Sequence, residues 1–357
     1  MIFINNMLKV YCIHPFVTDV ASLLTYLRLE NTFDLSWDEE SPDILFASEW
    51  IYYKQECFLT FKHLYDKATV KVFLAYEAIS PDWNIFDYAI GFDDDLIKSD
   101  RFIRAVNPYR LYNSFITKDE NEINTIEKAR LELQKKDRFC NFLYSNANAH
   151  EMRDKLFFEI SKYKRVDSLG RHLNNVGTRG TGFEGHSGEC VPMKRRYKFS
   201  IASENASFSG YTSEKILTSL EAHTVPIYFG NPHICDDINP ECFINAGDYG
   251  CFEELVEFVR KVDSDDELWC QMVSRPWMTP AQKINMEQRT TQYYKNMNNL
   301  FTGSVEEKSR LAIGTHQNLY RKKIMESSYP MDFVPRKKTL KYYVKRCFRY
   351  INQLNNE

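Results

Sequence analysis

The sequence predicts an α/β protein built on open, largely parallel sheets. Three observations predict it. Short apolar runs alternate with helical patterns through the first hundred residues, as they do when helices cover both faces of a sheet. Residues 197–231 read strand, polar loop, helix, strand, which is a βαβ unit and favours parallel pairing. The chain has 357 residues, long for a single core, so two domains are expected.

Taken in order, Leu8 to Ile13 reads as the first strand, and Phe16 to Leu29 carries Val20, Leu23, Leu24 and Leu27 at helical spacing. Asp43 to Ala47 is a short buried strand, Val70 to Tyr76 another that ends at Glu77, and Ile85 to Phe92 a third that runs into Asp93, Asp94 and Asp95. Glu120 to Lys136 is charged and helix-favouring and can join two domains. A strand from Phe139 to Tyr144, an amphipathic helix from His150 to Tyr163 and a short strand at Arg165 to Asp167 follow. Glycines 177, 180, 182, 185 and 188 make 174–188 a long loop.

The βαβ unit comes next. Tyr197 to Ala202 alternates as a strand, Thr212 to Lys215 opens a helix with Ile216, Leu217 and Leu220 on its apolar face, and Val225 to Phe229 returns as a strand stopped by Gly230-Asn231-Pro232. Ligands of parallel sheets sit at the carboxyl ends of the strands, beside helix N-termini. That position here offers a hydroxyl cap, a carboxylate, a lysine and backbone N–H groups, a suitable cradle for a diphosphate. An ordinary capped helix reads the same way. Phe252, Leu255, Val256 and Val259 mark one more helix. After Pro335, Leu340, Val344, Cys347, Phe348 and Ile351 form a helical stripe among seven lysines and arginines. Such a stripe suits an anionic membrane surface, or a helix packed on the protein with a solvated basic face.

Composition excludes several classes. Hydrophobic content of 43% and charged content of 27% belong to a water-soluble globular chain, and a net charge of −3 makes no case for nucleic acid. Aromatics at 15% suit either sugar handling or a large core. The nine cysteines are scattered without a CxxC pair, so they read as free thiols in a reducing compartment. No signal peptide is apparent, and no run approaches the ~20 apolar residues that span a bilayer. The glycine-rich loop lacks the ending of a phosphate-binding P-loop, and no GxSxG elbow appears.

Among candidate groups, the DxD in Asp93 to Asp95 can hold a divalent cation in some sugar-nucleotide enzymes, but three short carboxylates at a strand end are more often a solvated turn, so no metal site is assigned. Glu77, at the end of an apolar strand, is placed to deprotonate a hydroxyl nucleophile, and equally to serve as a surface carboxylate. Arg171, between a short strand and the glycine-rich loop, offers a fork for a phosphate, or simple solvation.

YKFSIASEN (197–205), SGYTSEKI (209–216) and VPIYFGNP (225–232), with DDINPECFIN after them, resemble the signature of the α-1,3/1,4-fucosyltransferase family. FCNFLYSNANAHEMRDKLFFEISKYKRVDSLGRHLNN and SPDWNIFDYAIGFDDD are similar to its flanking segments, so the resemblance runs from Pro42 to Phe252 and thins toward the start. It implies the GT-B architecture, two Rossmann-like domains facing each other across a cleft. The domains expected are 1–136 for the acceptor and 137–325 for GDP-β-L-fucose, with 326–357 as the basic tail.

The resemblance also implies transfer of L-fucose with inversion to a hydroxyl of an N-acetyllactosamine-type glycan, in surface polysaccharide synthesis. The family's general base falls on Glu77, although Tyr76-Glu77-Ala78 departs from the G-E-N of some bacterial members. The donor-site tyrosine, glutamate and lysine fall on Tyr211, Glu214 and Lys215, the phosphate arginine on Arg171, and the E-N pair near the fucose on Glu204 and Asn205. No cofactor is required on this reading; a divalent cation would stimulate at most. The expected location is cytoplasmic, peripheral at the inner face of a bacterial inner membrane, with the tail as tether. Two alternatives stand beside it: a GT-B enzyme using another sugar nucleotide, and a non-catalytic nucleotide-sugar or glycan-binding protein.

Overall fold

The computed structural model describes residues 7–29, 33–105, 122–177 and 190–327. The basic stripe after Pro335 and most of the glycine-rich loop lie outside the described residues. The chain divides into two compact units. The first takes in Met1–Tyr76, Pro81–Ile90 and Phe301–Glu357, the second Glu77–Ser80 and Gly91–Leu300.

In the first unit, β1 (Leu8–Ile13), β2 (Leu35–Trp37), β3 (Ile44–Ser48), β4 (Val70–Ala75) and β5 (Tyr88–Gly91) lie in the order β2-β1-β3-β4-β5. The pairs β1/β2, β1/β3 and β3/β4 are parallel, with Val10 opposite Ile44 and Ile44 opposite Val70. Every residue of β3 and β4 is buried, which is why both read as mainly apolar runs rather than alternating ones, with only Ser48 and Lys71 polar. The helix expected from Phe16 spans only Val20–Tyr26, because Asp19 caps it through Ser22 in a capping box. The last expected strand is also shorter, because the Asp87 carboxylate leaves the strand pattern to bind the backbone N–H groups of Lys71, Arg310 and Leu311.

The second unit holds β7 (Arg138–Phe142), β8 (Val166–Ser168), β9 (Tyr197–Ser203), β10 (Val225–Phe229) and β11 (Ile244–Asn245); a short β6 (Phe102–Arg104) precedes them. The order is β11-β10-β9-β7-β8 and each pair is parallel. β9, the Glu214–Glu221 helix and β10 are the expected βαβ unit, with Val225 opposite Phe199 and Phe229 opposite Ser203. Helices Met152–Tyr163 and Phe252–Ser264 pack on the sheet through Leu156, Ile160, Leu255 and Val259, together with Trp269 from the next helix. Burying each such side chain contributes about 1.5–3 kcal/mol. The long Pro280–Phe301 helix was not apparent in the sequence. It buries Met286, Tyr293, Met297 and Leu300, a stripe thinned by polar residues on every other face.

Candidate active site

The site grows from the end of β9. Glu204, the first residue past that strand, is wholly buried. Its carboxylate accepts from the Ser213 N–H at 2.8 Å, the Ser213 hydroxyl at 2.6 Å and the Lys215 ammonium at 3.0 Å. Ser213 is the N-cap of the Glu214–Glu221 helix. The Ser213 N–H beside that helix start is therefore taken by the protein's own buried anion. Burial by itself would lower the Lys215 pKa, but the Glu204 and Glu214 carboxylates outweigh it and hold the ammonium above its ordinary range. Gly230 makes room for this arrangement: a Cβ there would stand 2.4 Å from the Glu204 side chain and 2.7 Å from the Tyr228 hydroxyl.

Above this layer is a cavity of about 420 Å³, lined in part by Glu77, Tyr144, Arg153, Lys194, Asn205, Glu214 and Lys215. Arg153 is 1% exposed and its guanidinium lies 4.1 Å from the centre of the Tyr144 ring. One nitrogen, Nη2, donates to Ser203 O at 2.9 Å and Asn205 Oδ1 at 2.7 Å, while the buried Nε has no hydrogen-bond partner among the described residues. Lys194 donates to the Thr218 hydroxyl at 2.8 Å and the Ser219 hydroxyl at 3.2 Å, and burial pushes its pKa down. Three cations thus meet two carboxylates at the walls, a balance suited to an anionic ligand that also carries hydroxyls.

Glu77 belongs to the lining of the cavity. It follows β4 by two residues and is exposed, and the Tyr211 hydroxyl donates to its Oε2 at 2.9 Å. Tyr211 itself is 1% exposed. Two anchors fix the pair: Ser80 donates to Asp93 Oδ2 at 2.7 Å, and the Gly210 N–H donates to Asn231 Oδ1 at 2.9 Å. Gly210 has φ +78°, and a Cβ there would stand 1.9 Å from Phe92 O, so only glycine fits the approach.

Of the residues singled out in the sequence, Glu77, Asn205, Glu214 and Lys215 line the cavity together. Tyr211 and Glu204 sit behind the lining and hold Glu77 and Lys215 respectively. Arg171 is exposed and is not among the residues that line the cavity. The arginine that does is Arg153, which the sequence shows only as one position of an amphipathic helix. Its signal was its place on that helix's buried face with Leu156, Phe157 and Ile160. Lys194 and Tyr144 were also missed. Asp93 and Asp94 are engaged as a turn cap and in an ion pair with Arg104 at 2.6 Å. Among the described residues no three His, Cys, Asp or Glu side chains gather as a metal set, and the described cysteines are free thiols. No helix of the described residues is long and apolar enough to cross a membrane.

Two family models match the chain: that of the glycosyltransferase family 10 (fucosyltransferase) C-terminal region over residues 133–309, and that of the alpha-(1,3)-fucosyltransferase FucT N-terminal domain over residues 14–112. An alpha-(1,3)-fucosyltransferase of Helicobacter pylori is 28% identical over 231 residues, which is 57% of this chain and 46% of the relative. A putative fucosyltransferase of Acanthamoeba polyphaga mimivirus is 30% identical over 149 residues, 40% of this chain and 24% of the relative. The chain thus spans less than half the length of these curated relatives. The crystal structure of an alpha1,3-fucosyltransferase with GDP-fucose superposes with a TM-score of 0.61 at 21% identity, covering 83% of this chain and 93% of that one. This likeness agrees with the expected α/β fold of GT-B type. Given matches to both halves of one family, this chain belongs to the glycosyltransferase family 10 fucosyltransferases.

Proposed function

We propose that the protein is an inverting α-1,3-fucosyltransferase that moves L-fucose from GDP-β-L-fucose to a hydroxyl of an N-acetyllactosamine-type glycan. The observation that carries the reading is the hydrogen bond from Tyr211 to Glu77, which lines a cavity together with Lys215 and Arg153. It sets a carboxylate beside the cations that suit a diphosphate. In the proposed step the acceptor oxygen attacks the anomeric carbon and a new C–O bond forms on the face opposite the leaving group. Glu77 takes the hydroxyl proton, and the C–O bond to GDP breaks with its electron pair leaving on the diphosphate. Tyr211 holds Oε2, leaving Oε1 to receive that proton.

Lys215 and Arg153 face the growing diphosphate charge, and Glu214 is placed to accept from ribose hydroxyls. Arg153 takes the phosphate role that the resemblance put on Arg171. No metal is needed for this balance of charge. The reading is tested by GDP-fucose turnover against an acceptor panel, with and without EDTA. Turnover is expected in both, and Glu77→Gln should keep GDP binding while lowering transfer at least about a hundredfold. A Glu77→Gln variant with full activity removes Glu77 from the base role, and a donor other than GDP-fucose turning over faster replaces the donor assignment.

The family resemblance supports a role in surface polysaccharide synthesis, and the basic stripe after Pro335 supports a peripheral site at the inner face of a bacterial inner membrane. Truncation after Pro335 tests the second point: membrane recovery at low salt should fall, and unchanged recovery refutes the tether.

A further inference from the structure

Lys194 lines the cavity, yet the transfer step makes no use of it. It ends the short helix Cys190–Lys194 and is only 5% exposed. Its ammonium donates to the Thr218 hydroxyl at 2.8 Å and the Ser219 hydroxyl at 3.2 Å. Those hydroxyls spend their own protons on Lys215 O, at 3.3 Å and 2.7 Å, so they meet Lys194 as acceptors. An ammonium carries three protons, and among the described residues two of those on Lys194 find acceptors. Glu214, whose charge bears on Lys194, stands in ion-pair distance of Lys215, at 3.7 Å. One proton of a buried cation is thus left for an acceptor that enters the cavity.

The place of Lys194 along the cavity narrows that acceptor. Lys215 feels the charges of Glu204, Glu214 and Arg153, whereas Lys194 feels those of Cys190, Glu214 and Lys215. Lys194 is anchored to Thr218, one turn further along the Glu214–Glu221 helix than Glu214, or about 6 Å past it. Passing from Arg153 and Lys215 by way of Glu214 to Lys194 therefore follows a nucleotide from diphosphate to ribose to base. Cys190, one turn before Lys194, clusters with Val191, Ala222 and the half-buried Leu143, and Cys190 and Leu143 line the cavity too. An apolar edge beside one donor suits a flat heterocycle that presents a carbonyl oxygen. A further phosphate would call for more than one cation.

We propose that Lys194 sets the purine preference of the donor site, donating to the 6-carbonyl oxygen of guanine. Adenine is rejected, because its 6-amino group meets the ammonium donor to donor. The inference rests on the donor reading above.

Titration calorimetry on the full chain with inosine diphosphate, ADP and pyrophosphate tests it. Inosine diphosphate keeps the 6-carbonyl of guanine and lacks only its 2-amino group. ADP should bind the wild type at least about tenfold more weakly than inosine diphosphate, the size of one hydrogen bond to a charged group. Lys194→Met keeps the side-chain length without the charge, and thermal melting checks that it folds. In that variant the preference should shrink at least about fivefold, while pyrophosphate affinity stays within about twofold. Equal binding of the two nucleotides to the wild type overturns the proposal without recourse to the variant. An unchanged preference in the folded variant overturns it too, as does an equal loss of pyrophosphate, which makes Lys194 a phosphate ligand. GDP-fucose turnover on the same wild-type sample separates the two readings. Turnover without any effect of Lys194 on the preference keeps the transferase and removes the base contact. The expected preference without turnover keeps the base contact and removes the transferase.

Discussion

The hydroxyl of Tyr211 donates to Glu77 Oε2 at 2.9 Å, joining residues 134 positions apart in the sequence. The bond holds one carboxylate oxygen of a residue that lines the cavity, and the other oxygen takes no part in it. Tyr211→Phe keeps the ring against Phe92 and removes only the donor. A hydrogen bond to a charged group contributes about 1.5–3 kcal/mol, so kcat should fall about ten- to a hundredfold with little change in GDP affinity. Steady-state kinetics with calorimetry on the same sample checks this, and an equal loss in GDP affinity would place Tyr211 in donor binding instead.

Glu204 predicts a different phenotype. It is fully buried and holds both the helix cap and Lys215. Glu204→Ala leaves the partly buried Lys215 ammonium with only Glu214 and Ser213 beside it, a loss of about 1.5–3 kcal/mol. Chemical denaturation should show the drop, and Glu204→Gln should recover part of it through Ser213 without restoring the charge pairing.

Arg153→Lys tests the missed arginine. The planar guanidinium reaches Ser203 O and Asn205 together and lies over Tyr144, which a lysine cannot do at once. GDP affinity should fall about tenfold or more, while Arg171→Lys should leave it within about twofold. Titration calorimetry decides between them.

His14 carries a pH prediction for the first unit. Burial pushes its pKa down from 6.5 to about 4. Its ring packs 4.5 Å from that of Tyr26. The unfolded chain therefore takes up a proton on this residue in a window where the folded chain does not. Stability from this group is full above pH 6.5 and declines as pH falls toward 4. The difference in melting temperature between wild type and His14→Phe, followed over that window, should shrink or reverse as pH drops. A constant difference rejects the assignment.

Gly210→Ala probes the close approach behind Tyr211. With φ at +78° and Phe92 O in the way, the added methyl must push the loop out. Strain and overpacking should destabilise by about 1–3 kcal/mol or more and detach Tyr211 from Glu77. Melting curves and turnover should fall together.

The sequence alone determined the local grammar of this protein. The mainly apolar runs at Val70 to Ala75, with Lys71 the one charge, and at Val225 to Phe229 are legible because a strand covered on both faces needs few polar residues, and the helix after Ser213 is legible because its cap and apolar face recur at fixed spacing. The motif from Tyr197 to Asn231 carried the family, and Glu214, Lys215, Asn205 and Glu77 do share one cavity. Tertiary structure decided what those residues do for one another. That Glu204 is not among the lining residues but holds Lys215, that Tyr211 reaches Glu77, and that Arg153 lines the cavity where Arg171 does not, all depend on contacts between residues 11, 134 and 52 positions apart. Periodicity reports which face of an element is apolar. It does not report which buried charge meets which, because that is set by the packing of separate strand ends around one space.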